Sequence, residues 1–253
     1  MINILIPITS NAYLFDYPGI KIVSLPVVSW VDIDLSKFDV VAPLNNAHYN
    51  KCYELNLDIS TIPSKEIFNM FLDKKEYLTF FKSKGLERYF PEQNPINYPK
   101  IIKPAKGDHS DGVMVVSESG AKEQGIVEEY LYGVEYSSDI IFSKDKGIIS
   151  SYTIRYPETD IRKIDSSSRL WMLHTNRIQY VRLDKRHKDQ IEEVLSTANV
   201  NGLININFKV KDIGDRVGTI KIFDINPSWS GTSELHTNKI MESLSLLKDS
   251  VIA

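Results

Sequence analysis

The stretch from Asn201 to Asn238, NGLININFKVKDIGDRVGTIKIFDINPSWSGTSELHTN, contains two alternating segments joined by a turn rich in Gly and Asp. This pattern predicts two neighbouring β-strands, the second of which ends in the sequence DINP. Side chains two positions apart in a strand point to the same face, so Asp224 and Asn226 share a face, as do Asn205 and Asn207. The stretch therefore predicts a sheet that carries an acid and several carboxamides on one face.

Polar side chains on such a face are costly to bury unless they bind something. Oxygen ligands on a rigid face suit Mg²⁺, which prefers oxygen donors and often bridges to substrate phosphates. The alternative is a pair of edge strands with one solvent-facing side, and the alternation alone favours neither interpretation.

The composition is that of an ordinary globular protein, and it excludes several classes of function. The chain has 253 residues, of which 42% are hydrophobic and 25% charged, and a net charge of −3. This balance favours neither nucleic acid nor an anionic membrane as a partner, because both attract basic proteins. No stretch approaches the roughly 18 consecutive apolar residues of a membrane span, and residues 1–7 lack the basic start of a signal peptide. The single cysteine, Cys52, excludes an intrachain disulfide, and these features together predict a cytoplasmic protein.

Short β/α units are predicted for residues 1–62, followed by a longer second region. The segment between the first two predicted strands, residues 9–19, is too short for a full crossover helix, so this first lobe is expected to be abbreviated. A helix is predicted at Asn46–Glu54. Three apolar runs typical of a parallel sheet buried on both faces are Ile2–Ile6, Lys21–Leu25 and Val40–Pro43.

Amphipathic periodicity predicts helices within residues 63–86, 185–199 and 239–248. The first of these ranges should contain two helices, the second of them capped by Asp73 and ending at Gly85.

Residues 100–117 predict a strand, a polar loop bounded by glycines and a second strand. Backbone N–H groups of the loop Gly107–Gly112 can hold phosphates, and Lys103 and Lys106 would add positive charge. The alternative is a plain turn, which is the more common role of such loops.

Antiparallel strands are predicted at Gly125–Tyr130, Val134–Phe142, Lys146–Tyr156 and Arg169–Leu183. The polar loop Glu158–Ser168 lies between the last two. A basic loop can hold an anionic substrate, although a run of charge is more often a solvated face. The basic residues at this loop are Arg155, Arg162, Lys163 and Arg169.

Taken in order, these segments resemble the ATP-grasp superfamily of carboxylate–amine ligases over about residues 63–250. The stretch Leu72–Lys75 resembles the family's opening helix, whose basic residue reaches the nucleotide phosphates; Lys74 is the better match and Lys75 the second. Lys103 resembles the strand lysine that contacts ATP phosphates. The loop Gly107–Gly112, with Ser110 near its end, resembles the flexible glycine-rich loop that closes over them.

The segment Val127–Glu135, VEEYLYGVE, is similar to the hinge of the D-alanine–D-alanine ligase branch. The resemblance implies that Glu128, Glu129 and Leu131 line the adenine slot. It also implies that Glu135 binds the ribose hydroxyls, for which a carboxylate is a good acceptor. As an alternative, such a sequence is common in surface strands.

The stretch Asp224–Ser233 resembles the metal-binding end of the family, most closely in the carbamoyl-phosphate synthase branch. The resemblance implies that Asn207, Asp224 and Asn226 hold Mg²⁺, with Mn²⁺ as the alternative ion. In the ligase branch the first of these matches falls nearer Asn205.

The resemblance implies a mixed α/β (α+β) fold in which two α/β subdomains grip ATP. Residues 63–253 would form the ATP-grasp domain, with a small lobe at about residues 100–130 and a large lobe at about residues 131–253. Residues 1–62 would be a shortened form of the Rossmann-like lobe that precedes this domain.

The reaction implied is the activation of a substrate carboxylate as an acyl phosphate and its transfer to an amine. Lys74, Lys103 and Lys106 would hold phosphates, and Arg155 or Arg169 would grip the substrate carboxylate in a fork. The expected partners are small-molecule carboxylates and amines, amino acids among them, and a second copy of the chain in a homodimer.

Two departures from the family pattern support other interpretations. Ser228 stands where the family often has an arginine, and the metal-binding strands carry one carboxylate, Asp224, rather than two. A nucleotide-binding protein with little or no catalysis is the first alternative. A small-molecule kinase that uses the same nucleotide site is the second.

Overall fold

The computed structural model describes residues 2–7, 20–57, 59, 62–107, 112–117, 125–156, 163–164, 170–171, 179–213 and 216–228. Helices and strands are mixed, and the described strands form four sheets, in keeping with the predicted fold class. Several predicted features lie outside the described residues: Ser110, Arg162, Arg169 and the helix at 239–248. None of the described helices is long and apolar enough to cross a membrane.

The first sheet contains three parallel strands in the order β2–β1–β3: β1 (Ile2–Ile6), β2 (Ile20–Ser24) and β3 (Val40–Val41). Ile4, Leu5 and Ile6 are at most 1% exposed, which confirms a parallel sheet buried on both faces. Helix α1 (Asn46–Glu54) has the predicted bounds.

Two helices connect this sheet to the rest of the chain: α2 (Lys65–Leu72) and α3 (Lys74–Ser83). The carboxylate of Asp73 accepts hydrogen bonds from the backbone N–H groups of Lys75 and Glu76, so it caps α3 as predicted. Helix α3 therefore begins at Lys74 and holds this residue at the end of the helix that faces the other sheets. Gly85 follows the helix with a φ of +72°, a left-handed conformation that favours glycine.

The second sheet contains three antiparallel strands in the order β5–β4–β6: β4 (Lys100–Lys103), β5 (Met114–Val116) and β6 (Ile126–Glu129). Gly125, just before β6, has a φ of +126°, and a Cβ atom there would lie 2.4 Å from the backbone oxygen of Lys103. A glycine at this position is what allows β6 to approach the end of β4.

The third sheet has five antiparallel strands in the order β11–β8–β7–β12–β13. These are β7 (Glu135–Ser143), β8 (Gly147–Tyr156), β11 (Gln179–Val181), β12 (Gly202–Ile213) and β13 (Arg216–Asn226). Between β8 and β11, two short strands pair with each other, β9 (Lys163–Ile164) and β10 (Leu170–Trp171).

Helix α4 (Lys185–Thr197) packs on one face of the five-stranded sheet. The buried residues of the helix and of that face form one core, which contains Ile191, Val194, Leu195, Ile204, Ile206, Phe208 and Ile222. Since side chains alternate along a strand, the other face of the sheet carries the residues in between.

Candidate active site

The polar side chains predicted for β12 and β13 do share one face of the sheet. In the strand register Asn205 is opposite Asn226 and Asn207 is opposite Asp224, and directly paired residues point to the same side. Strand β7 adds two polar residues to this face, because Ser137 pairs with Asn207 and Asp139 pairs with Asn205. These six residues, called the amide face below, are Ser137, Asp139, Asn205, Asn207, Asp224 and Asn226.

Directed hydrogen bonds connect the members of the amide face. Asn226 Nδ2 donates to Asp224 Oδ2 at 3.0 Å and to Asn205 Oδ1 at 3.4 Å. Asn207 Nδ2 donates to Asn205 Oδ1 at 3.1 Å. At the other end of the side chain, Asn205 Nδ2 donates to Asp139 Oδ1 at 2.9 Å. The polar side chains of the face therefore form a hydrogen-bonded network.

Lys74 brings positive charge to the amide face from helix α3. Its Nζ atom lies 3.2 Å from Asp224 Oδ1 and also donates to the carbonyl oxygen of Gly107 at 3.1 Å. The backbone N–H of Lys74 donates to Ala105 O at 2.8 Å, which joins the start of the helix to the segment after β4. Three separate parts of the chain thus meet at Asp224.

Lys103, at the end of β4, is buried and meets β13 one residue before Asp224. Its ammonium forms an ion pair with the buried carboxylate of Glu128 and donates to the carbonyl oxygen of Phe223 at 3.0 Å. It also lies 5.4 Å from the centre of the Phe223 ring. Phe223 occupies this position because a bulge shifts the β12–β13 register there, so that Phe208 pairs with Ile222.

An open cavity beside these residues, called the cleft below, has a volume of about 410 Å³ including its mouth. All four predicted hinge residues line it, which brings together groups that are up to seven positions apart in the sequence. The residues around the cleft are Pro91, Ile101, Lys103, Glu128, Glu129, Tyr130, Leu131, Glu135, Lys209 and Phe223.

Several contacts hold the walls of the cleft in place. Gln93 Nε2 donates to Glu128 Oε1 at 3.2 Å, and Lys209 Nζ donates to the carbonyl oxygen of Leu131 at 2.9 Å. Lys221 Nζ lies 3.9 Å from Glu129 Oε1. The sequence interpretation did not include Lys209, Lys221 or Phe223. Alternation from Asn207 could have placed Lys209 on this face, whereas the bulge at Phe223 has no signal in the sequence.

Negative charge affects two tyrosines near the site. Burial raises the pKa of Tyr77, and the nearby carboxylates of Asp224 and Glu128 raise it further. Burial likewise raises the pKa of Tyr152, with a smaller contribution from Asp139. Both hydroxyl groups therefore stay protonated at neutral pH and are unavailable as bases.

The structure does not bring every predicted residue to the amide face. Arg155 pairs with Tyr136, whose ring stacks on Phe208 in the core beneath α4, so Arg155 lies on the opposite face of the sheet. Its guanidinium donates to Gln179 Oε1 at 2.8 Å. This register gives no support to a substrate-gripping role for Arg155. The exposed Lys106 lies 3.6 Å from a carboxylate oxygen of Asp73.

Oxygen atoms on the amide face fit a hard divalent cation. Asp224 Oδ1 is buried and makes no hydrogen bond, although the Lys74 ammonium lies beside it. The Oδ1 atoms of Asn207 and Asn226 accept no hydrogen bond from any described residue, because their amide nitrogens face Asn205. In the described part of the chain no three His, Cys, Asp or Glu side chains cluster as metal ligands. A cation here would therefore depend on amide oxygens beside one carboxylate.

Comparison with protein-family models finds no matching family, and comparison with curated proteins finds no match. Solved structures do match over nearly the whole chain. D-alanine–D-alanine ligase from Bacillus anthracis, complexed with ATP, is 14% identical with a TM-score of 0.57, and the alignment covers 99% of this chain and 98% of that chain. D-cycloserine synthetase is 11% identical with a TM-score of 0.64 and coverages of 98% and 99%.

A third similar structure is N5-carboxyaminoimidazole ribonucleotide synthetase from Thermotoga maritima. It is 14% identical with a TM-score of 0.57, and the alignment covers 95% of this chain and 76% of that chain. At such identities the likeness shows a shared fold.

Proposed function

We propose, from the ATP-grasp fold that this chain has, that the protein is an ATP-dependent ligase. In the proposed reaction a substrate carboxylate attacks the γ-phosphorus of ATP, ADP leaves, and an amine then displaces phosphate from the acyl phosphate. The products are an amide, ADP and phosphate. The observation that carries the proposal is the convergence of Lys74, Lys103 and the amide face at the adjacent residues Phe223 and Asp224.

The cleft suits the nucleoside part of ATP. Ile101 and the ring of Phe223 offer apolar surfaces to a flat base, and the segment Glu128–Leu131 lines the cleft beside them. Glu135 lies at the border of the cleft and of the amide face, since it precedes Ser137 by two positions in β7. A carboxylate there can accept hydrogen bonds from both ribose hydroxyls.

The triphosphate would run from the cleft towards the amide face. Lys103 and Lys74 are placed along this path, one against Phe223 and the other against Asp224. Asn207, Asp224 and Asn226 would hold Mg²⁺, which supplies positive charge to the phosphate oxygens when bound. Lys106, exposed at the start of the predicted glycine-rich loop, would add charge when phosphates are present.

Catalysis by these residues is positioning and charge neutralisation. Phosphoryl transfer requires little covalent chemistry from the protein, and its transition state spreads negative charge over the transferred oxygens. Lys74 and Lys103 hold their ammonium groups in partly or fully buried positions, where the interaction with such charge is strong. Amino acids are the proposed substrate class, because one of the similar structures is a D-alanine–D-alanine ligase.

One observation favours nucleotide binding with little catalysis as a second candidate. The proposed metal ligands include one carboxylate, and that carboxylate is already paired with Lys74. Neutral amides bind Mg²⁺ less strongly than carboxylates do, so ATP would have to contribute much of the coordination.

Phosphate release from ATP tests the proposal. The purified chain is incubated with Mg²⁺ and ATP, with pooled amino acids and then with carboxylates or amines alone. Release of phosphate that requires both a carboxylate and an amine is expected. Tight ATP binding without release for any pair would support the second candidate, and a stable phosphorylated product would identify a kinase. Asp189→Asn, an exposed position on α4, is the matched control for loss of a carboxylate.

A further inference from the structure

We infer that Asn205, anchored by Asp139, is a positioning residue that sets the direction of the two amide groups proposed to bind the divalent cation. The inference rests on the proposed function and deepens it. It assigns a role to the two buried residues of the amide face that are not proposed as ligands. Asn205 is 1% exposed and Asp139 is 8% exposed, so both are buried polar groups behind the proposed ligands.

The direction of the Asn205 side chain is determined by its neighbours on β7. Its Nδ2 atom lies 2.9 Å from Asp139 Oδ1 and 3.4 Å from the carbonyl oxygen of Ser138. An ionised carboxylate and a carbonyl can only accept hydrogen bonds, so the amide atom that faces them must be the nitrogen. Ser137 Oγ lies 3.1 Å from the same nitrogen, so one of its two hydrogens is shared between two acceptors.

This direction places Asn205 Oδ1 towards β13 and the neighbouring part of β12. There it accepts from Asn207 Nδ2 at 3.1 Å and from Asn226 Nδ2 at 3.4 Å. Asp224 Oδ2 accepts a further hydrogen bond from Asn226 Nδ2. Each of the two outer amides is thus held with its nitrogen inward, and its oxygen is left for a cation.

A reversed outer amide would present an NH₂ group to the cation, and that group is not a ligand. An asparagine free to rotate would spend part of its time in the wrong direction and would lose rotamer freedom on binding. Groups that orient metal ligands from behind typically change metal affinity by about 10–100-fold when they are removed. Both amide atoms of Asn205 are already used within the protein, which makes it an orienting residue rather than a ligand.

Cation affinity, measured apart from turnover, tests the inference. Free Mn²⁺ is followed by its electron paramagnetic resonance signal during titration of the protein–ADP complex, and the affinity for ADP without metal is measured in parallel. Asn205→Leu keeps the branching and the number of side-chain heavy atoms and removes the acceptor for Asn207 and Asn226. Its Mn²⁺ affinity should fall by about 10–100-fold, while the affinity for metal-free ADP stays within about twofold.

A second variant exchanges the two polar groups. Asp139→Asn combined with Asn205→Asp keeps the net charge, an acceptor towards Asn207 and Asn226, and a donor between positions 139 and 205, and loses only the long 3.4 Å contact with Ser138 O and the contact with Ser137 Oγ as an acceptor. It should bind Mn²⁺ at least as tightly as the unmodified chain. Weaker binding by this double variant would overturn the orienting role even if Asn205→Leu did not fold.

The control is Thr153→Val. Thr153 Oγ1 and Ser138 Oγ form a buried hydrogen bond of 2.8 Å on the opposite face of the same sheet. This variant should lower the melting temperature without changing Mn²⁺ affinity. If Asn205→Leu binds Mn²⁺ like the unmodified protein, the inference is wrong and the proposed function stands. If the unmodified protein binds neither ADP nor Mn²⁺ with ADP, the inference and the proposed function are both wrong.

Discussion

The cleft and the amide face lie side by side, yet they compensate buried polar groups in different ways. In the cleft the buried carboxylate of Glu128 is paired with the buried ammonium of Lys103, so charge is neutralised within the protein. On the amide face three of the six groups are neutral amides, and their hydrogen bonds are directed so that some oxygens stay unbonded. The Lys103–Glu128 pair is thus neutral without a ligand, whereas the amide face is arranged to receive one.

This difference separates the expected effects of mutation. Changes in the cleft should act on stability and nucleotide affinity, because an internal charge pair is broken there. Changes on the amide face should act on the cation and leave the fold intact. Variants in the two regions therefore test whether the cleft and the amide face respond to mutation in these different ways.

Glu128→Gln should have the largest effect on stability. It leaves the ammonium of Lys103 buried without an anionic partner, and breaking such a pair costs about 3–5 kcal/mol of unfolding free energy. Urea denaturation measures this value. Glu54→Gln, which breaks an exposed ion pair with Lys51, is the matched control and should cost at most about 1 kcal/mol. Similar losses in both variants would contradict a buried, charge-neutral cleft.

Asp224→Asn should leave stability nearly unchanged and lower Mg²⁺-dependent turnover by about 100-fold, the loss of roughly 2.7 kcal/mol of transition-state stabilisation. Because the change also removes the partner of Lys74, the affinity for ADP without metal should rise. Calorimetric titration with ADP in the presence of a chelator checks this opposite effect. A decrease in metal-free ADP affinity would show that the Lys74–Asp224 pair does not compete with phosphate.

Glu135→Ala should have the smallest of the three effects. Loss of one carboxylate acceptor for the ribose should weaken ADP binding by about tenfold, roughly 1.4 kcal/mol. Binding of 2′-deoxy-ADP is the internal comparison, since the variant should no longer distinguish it from ADP. Unchanged discrimination between the two nucleotides would rule out the ribose role.

Much of the architecture could be predicted from the sequence because its signals are local. Apolar runs identified the parallel strands, and periodicity together with the cap at Asp73 identified α2 and α3. Alternation placed Asp224 and Asn226 on one face, and the pairing of β13 with β12 confirms this placement.

Features that depend on the pairing of distant strands could not be predicted. Alternation within β7 and β8 does not show which side chains of these strands lie on the amide face. A shift of the strand register by one residue would reverse the assignment. For that reason Asp139 was missed although it lies on the amide face, and Arg155 was included although it lies on the other side. The bulge that turns Phe223 into the cleft is a further long-range feature.

The two buried lysines also show how much rearrangement a nucleotide would require. An ammonium group has three hydrogens to donate. Lys103 donates to Phe223 O and forms an ion pair with Glu128, and Lys74 donates to Gly107 O and lies 3.2 Å from Asp224 Oδ1. A triphosphate must therefore share these ammonium groups with the carboxylates and carbonyl oxygens that hold them, and at Lys74 it competes with Asp224.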